Sequence, residues 1–153
     1  MSKNNLKITA DREDYAVGLK SYLNVNGFSG YGEGWFNNSD IKEFCSKLSS
    51  ISVEMEGEAE LLGTEKRLDG SDYLETMCIR VYVLCASKLN GIVGVHITLS
   101  ERPSSDSRAQ EILKMSGELK VRNRLLGVFS SDLQDLMNGG VNEINMVGDL
   151  KIF

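Results

Sequence analysis

Two neighbouring runs of this chain alternate apolar and other residues with a period of two. The first is Met77, Ile79, Val81, Val83 and Cys85; the second is Val93, Val95, Ile97 and Leu99. Successive side chains of a strand point to opposite faces, so each run presents one apolar face. With a Gly-containing connection between them, the pair specifies an antiparallel hairpin. Core residues must oppose core residues, so paired position numbers must sum to an even value. A two-residue Asn90-Gly91 turn gives an odd sum and sets Cys85 against His96. A three-residue loop, Leu89-Asn90-Gly91, sets Cys85 against Val95 and offers Gly91 for the left-handed position such loops require. The three-residue loop is therefore expected. It places Leu84 opposite His96, near Tyr82 and Thr98.

The remaining elements assemble around this hairpin. Leu6 to Thr9 and Leu19 to Asn26 read as strands, and a Gly-rich stretch from Gly27 to Phe36 follows. Asn38, Ser39 and Asp40 supply helix-start chemistry, and Asp40 with Glu43 resembles a capping box. Ile41, Phe44, Cys45, Leu48 and Ile51 recur at helical spacing, predicting an amphipathic helix over 40–50. Residues 63–72 read as a polar turn and 101–110 as a solvated loop. Residues 111–122 fit two patterns: Ile112, Met115 and Leu119 sit at helical spacing and permit a helix, whereas Met115, Gly117, Leu119 and Val121 alternate with polar residues and Gly117 weakens a helix interior, so a strand over about 115–122 is the favoured expectation. Leu125, Leu126, Phe129, Leu133, Leu136 and Met137 make the stripe of a second helix over 124–138, ended by Gly139-Gly140. Ile144, Met146, Leu150 and Ile152 suggest a last strand. The sum is a single α+β domain, a mainly antiparallel β-sheet with two amphipathic helices packed on it. Its 153 residues suit one core.

Between the first helix and the hairpin, Glu54, Glu56, Glu58 and Glu60 occupy every second position. A strand over roughly 53–62 would align four carboxylates on one face, with Val53, Met55, Gly57, Ala59 and Leu61 on the other. The surrounding block, 51–75, also holds Glu65, Asp69, Asp72 and Glu75 against Lys66 and Arg67. Eight acids and two bases give −6, so the rest of the chain carries +1 of the net −5. Such a block repels phosphate backbones and attracts basic proteins. Three readings fit the stripe. It is a solvated face neutralised by neighbouring strands, a docking surface for a basic protein, or a carboxylate site for a sugar or a hard cation. Same-face neighbours ~7 Å apart repel by only ~0.6 kcal/mol in water, so the stripe is tolerable without a function. No calcium loop or sugar-binding cleft accompanies it. The partner-binding candidates are therefore Glu54, Glu56, Glu58, Glu60, Asp69 and Asp72, with no catalytic residue, metal or cofactor expected.

His96 is the only histidine. In mid-strand and without a local nucleophile motif, it reads as structural, the alternative being a small hydrolase that pairs it with a nearby carboxylate. Cys45, Cys78 and Cys85 are odd in number and lack C-x-x-C spacing, which argues against disulfides and zinc and fits a reducing compartment. Cys45 and Cys85 fall on apolar faces; Cys78 falls on the opposite face and is the expected free thiol. No signal peptide or membrane-spanning run is read from the sequence. Gly27, Gly30, Gly32 and Gly34 match neither the P-loop nor the dinucleotide fingerprint, and bulges or close backbone approach account for them better. Tyr31 and Trp35 are candidate exposed anchors of a binding site, although core burial is the expectation for Trp35.

The order of these features resembles that of small bacterial immunity proteins. Gly27-Phe28-Ser29-Gly30 precedes Trp35, Phe44 and Leu48 lie on a helix, and Gly57-Glu58-Ala59-Glu60-Leu61 follows. Then come Gly91-Ile92-Val93 in a hairpin, and Phe129 and Leu133 on a late helix. Over about residues 20–138 this is similar to the WapI-type immunity proteins that accompany polymorphic and contact-dependent growth inhibition toxins. The resemblance implies a cytoplasmic protein that is not an enzyme and neutralises a cognate toxin domain by binding it. The acidic block makes a basic nuclease the expected target. A structural subunit that self-associates through an edge strand is a further alternative. The resemblance carries over no contact residue.

Overall fold

The computed structural model describes residues 4–66, 72–103 and 107–148. Among the described residues, eight strands form two antiparallel four-stranded sheets, and two α-helices pack on them. In the first sheet, β1 (Asn5–Arg12), β2 (Ala16–Val25) and β3 (Phe28–Asn37) form a meander, and β8 (Glu143–Val147) returns to pair with β1. The second sheet is a meander of β4 (Glu58–Lys66), β5 (Asp72–Cys85), β6 (Ile92–Ser100) and β7 (Lys114–Arg122). The helices are α1 (Asn38–Glu54) and α2 (Asn123–Asn138). The α+β architecture expected from the sequence is therefore the observed one. Among the described residues, no helix is long and apolar enough to cross a membrane.

One core serves both sheets. Leu6, Ile8, Leu19 and Leu23 enter it from the first sheet, and Met77, Ile79, Val95 and Ile97 from the second. The expected strand over 115–122 and the last strand through Ile144 and Met146 are present. Leu150 and Ile152 lie outside the described residues.

The Gly-rich stretch is the strand β3, and its glycines face inward. Gly32 and Gly34 are buried, whereas Tyr31, Glu33 and Trp35, which alternate with them, are exposed. A Cβ at Gly32 would overlap the carbonyl oxygen of Thr76 on β5. One at Gly34 would lie 3.4 Å from the Cα of Gly63 on β4. Close backbone approach is thus the reason for these glycines. β3 enters from β2 through Asn26-Gly27, whose φ values of 51° and 86° suit a tight two-residue hairpin turn. The strand expectation that ran to Asn26 missed this turn, although Asn-Gly is the strongest local hairpin signal.

α1 starts and ends differently from expectation. Its N-cap is Asn37, without a side-chain capping bond, so Asp40 lies in the first turn and forms no capping box with Glu43. It runs to Glu54 because its apolar stripe continues from Leu48 and Ile51 to Met55. Met55 caps the helix in the left-handed region (φ 54°), its N–H bonded to the Ile51 carbonyl. A left-handed non-glycine residue costs about 1–2 kcal/mol. Its buried side chain supplies the compensation by packing onto Gly91, where a Cβ would overlap the methionine terminus.

The hairpin keeps the even parity but not the expected register. Val81 faces Val95, Ile79 faces Ile97, and a bulge after Val83 brings Cys85 opposite Ile92. Residues 86–91 form the connection in place of a three-residue loop, and Gly91 does not have positive φ. Tertiary contacts hold this longer loop. Asn123 at the start of α2 donates its amide side chain to the carbonyls of Lys88 (3.1 Å) and Ser52 (2.9 Å). Its backbone N–H bonds the Gly91 carbonyl at 3.0 Å.

The helices meet through the edge-on rings of Phe44 and Phe129, 6.5 Å apart. Ser130 Oγ donates to the Cys45 carbonyl at 2.9 Å and accepts from Ser49 Oγ at 3.0 Å. Gly139 (φ 81°) ends α2 as expected, and the guanidinium of Arg12 donates to the Leu136 carbonyl at 2.9 Å.

Two inward positions on facing strands give opposite expectations. Gly32→Ala drives a methyl into the β5 backbone and is expected to cost about 1–3 kcal/mol, despite the usual preference for Ala over Gly in a strand. Ser21, opposite Gly32 on β2, has a fully buried hydroxyl without a hydrogen-bond partner. Ser21→Ala removes that desolvated group and is expected to leave stability unchanged or raise it by up to ~1 kcal/mol. Urea denaturation of the two variants measures both.

Candidate functional site

The four glutamates do not share a strand face. Glu54 is the last residue of α1, Glu56 lies in the turn, and Glu58 and Glu60 point outward from β4. Their alternation in sequence comes from a helix end, a left-handed corner and a strand start placed in succession. All four side chains are nonetheless exposed. The result is an acidic corner rather than a stripe. Two cations reach it: Lys88 Nζ lies 3.9 Å from Glu54, and Arg80 Nε lies 3.9 Å from Glu60. Asp72 is the first residue of β5, paired with Lys66 at the end of β4, so both strands enter the expected polar turn. Asp69 lies outside the described residues.

The corner continues onto the outer face of the second sheet. Strand register aligns Glu60, Arg80, His96 and Glu118 in one row across β4, β5, β6 and β7. The adjacent row holds Glu58, Tyr82, Gly94 and Lys120. Arg80 forms its closest ion pair with Glu75, and that bond raises the guanidinium pKa further. Tyr82 donates its hydroxyl to Glu118. Burial, and then this bond to a carboxylate, push the phenol up to about 12. His96 therefore lies opposite Arg80 and Glu118, not opposite Leu84. It does point away from the Val95 and Ile97 face, as parity required.

The thiols exchange their expected places. Cys78 is fully buried, its Sγ 3.5 Å from the Gly63 carbonyl oxygen, and burial pushes its pKa up to about 11. It is a poor nucleophile for the row beside it. Cys45 is buried as expected and is likewise raised, mainly by burial, to about 11. Cys85, expected in the core, is exposed.

The outer face of the first sheet carries a second cluster that the alternation of Tyr31, Glu33 and Trp35 only partly signalled. Tyr22 on β2 and Tyr31 on β3 are register partners, with ring centroids 6.1 Å apart. Lys7 Nζ lies 4.9 Å from the Tyr22 centroid, and Lys20 Nζ lies 5.3 Å from that of Tyr31. Trp35 is 39% exposed rather than core. Its ring covers Gly18, where a Cβ would come within 2.9 Å, and its Nε1 donates to Glu33 at 3.0 Å. Among the described residues, no group of three or more His, Cys, Asp or Glu side chains is arranged to hold a metal ion.

No family model, curated protein or solved structure matches the chain.

The protonation of Tyr82 has a measurable consequence. A phenol with a folded pKa near 12 and an ordinary value near 10 holds its proton longer in the folded state. Its contribution is fully present below pH 10 and is lost as pH rises towards 12. Tyr82→Phe is expected to flatten the stability decline over this interval, read from urea denaturation at stepped pH. In the same native protein, iodoacetamide is expected to label Cys85 alone, with Cys45 and Cys78 reacting only after denaturation.

Proposed function

We propose that this protein acts by binding another protein, as an immunity protein that neutralises a toxin domain, and that the target is a basic nuclease. The observation that carries this reading is the acidic corner, where Glu54, Glu56, Glu58 and Glu60 all face solvent around a turn fixed by buried Met55. Nucleases need basic surfaces to hold nucleic acid, and a carboxylate cluster complements such a surface and speeds the encounter. The resemblance to WapI-type immunity proteins supports the same reading. So do the three free cysteines, which suit the reducing interior of a cell. Asp69 and Asp72 extend the proposed contact surface beyond the corner in sequence.

One observation favours a second reading. His96 has a carboxylate neighbour, Glu118, on the adjacent strand, the pairing a small hydrolase would use. Glu118 is already engaged by Tyr82, however, and the nearby thiol is buried. The binding reading is therefore preferred.

Replacing Glu54, Glu56, Glu58 and Glu60 together by Lys separates the readings. Toxin binding is expected to weaken, with the association rate at low salt falling about tenfold or more and the difference shrinking as salt is added. Unchanged kinetics would remove the corner from the interface. A hydrolytic activity abolished by His96→Ala but untouched by the four-lysine variant would replace the binding reading with the enzymatic one.

A further inference from the structure

A groove of about 620 Å³ opens between the two sheets, at the end of the β2–β3 hairpin. It shares no residue with the acidic corner. Its walls come from both sheets: Leu23 from β2, Leu99 from β6 and Met115 from β7, with Leu113 just before β7. Tyr22 and Tyr31 present their rings to it. Its volume falls within the roughly 300–1,000 Å³ of small-molecule sites, and its lining mixes these apolar groups with Asn5, Lys7, Asn24, Ser29, Glu101 and Lys114. Gly30 sets its geometry, since a Cβ there would lie 3.0 Å from the Met115 sulfur. Leu23 and Leu99 belong to the core and form only its floor, whereas Tyr22, Tyr31 and Leu113 supply its exposed apolar surface.

The polar groups give the groove a sign. Lys7 and Lys114 line it, and Lys20 stands over the same tyrosine pair. Among the described lining residues the one carboxylate, Glu101, accepts the backbone N–H of Leu113 at 3.0 Å and keeps its charge, so it offsets one of the two lining ammonium groups. Lys7 is 3.7 Å from Glu143 and also lies against the Tyr22 ring, which fixes its ammonium in place. Lys114 has no carboxylate partner among the described residues. Apolar walls beside lysines whose charge is incompletely matched suit a ligand with an apolar body and an anionic end.

We propose that this groove binds an amphipathic organic anion of the medium-chain carboxylate class, its chain against Tyr22, Tyr31, Leu113 and Met115 and its carboxylate at Lys7 and Lys114. The inference is independent of the toxin-binding reading, because it involves other residues and another chemistry. The test titrates the 153-residue chain with dodecanoate, and separately with dodecyltrimethylammonium, each below its micelle concentration. Calorimetry and backbone-amide NMR report the binding. Dodecanoate is expected to saturate at one molecule per chain and to shift the amides of Leu23, Gly30 and Met115. The cationic probe, with the same chain length, is expected to bind at least tenfold more weakly. The double variant Lys7→Met, Lys114→Met, both changes on solvent-accessible side chains, is expected to lose that preference while its melting temperature holds. Three results overturn the proposal: shifts scattered over the surface without saturation, equal affinity for the two probes, or dodecanoate bound by the double variant as by the wild type. Binding of a polyglutamate peptide in place of dodecanoate also overturns it, by making the groove a docking site for an acidic protein segment.

Discussion

The near contact of β3 with the second sheet is the constraint on which the rest of the structure depends. Gly32 lies against the β5 backbone and Gly34 against Gly63 of β4, so two sheets meet where side chains would otherwise hold them apart. Because β3 is an edge strand of the first sheet, this junction brings the inner faces of both sheets onto one core. The helix pair adds Phe44, Leu48, Phe129 and Leu133 to that core. A chain of this length has few residues with which to fill two separate cores, and the glycine junction removes the need for a second.

The same junction decides which surfaces are free for function. With both inner faces buried, the outer faces remain exposed, and their chemistries differ. The first sheet displays Tyr22, Tyr31, Trp35 and their lysines; the second displays the row Glu60, Arg80, His96 and Glu118. Carboxylates dominate one and ring-bound ammonium groups the other.

Rigidity at the acidic corner comes from polar and apolar anchors several elements away. Met55 holds a left-handed backbone because its side chain is packed on Gly91. Gly91 is fixed because its carbonyl caps α2 at Asn123, which also binds Ser52 and Lys88. The corner, the hairpin loop and the start of α2 therefore form one unit. The carboxylates of Glu54, Glu56 and Glu58 project from this anchored turn.

Local periodicity determined the class of this protein. The alternation in β5, β6 and β7 and the apolar stripes of α1 and α2 depend on neighbours a few residues away, so their existence, type and buried faces could be read directly. The Asn26-Gly27 turn and the continuation of the α1 stripe to Met55 were also written in the sequence, and a stricter reading of those signals finds them. Register, corner geometry and site were decided by tertiary structure. Cys85 left the core because a bulge after Val83 and a docked loop, held by Asn123, reset the end of that strand, whereas Cys78 keeps its outward parity and is buried there against the Gly63 carbonyl. The glutamate alternation proved to span three conformations, since period two along a sequence does not require a strand. Trp35 lies outside because the opposite face of β3 had to be glycine. Each of these outcomes depends on residues tens of positions apart coming within a few ångströms, and no short window of sequence contains that information.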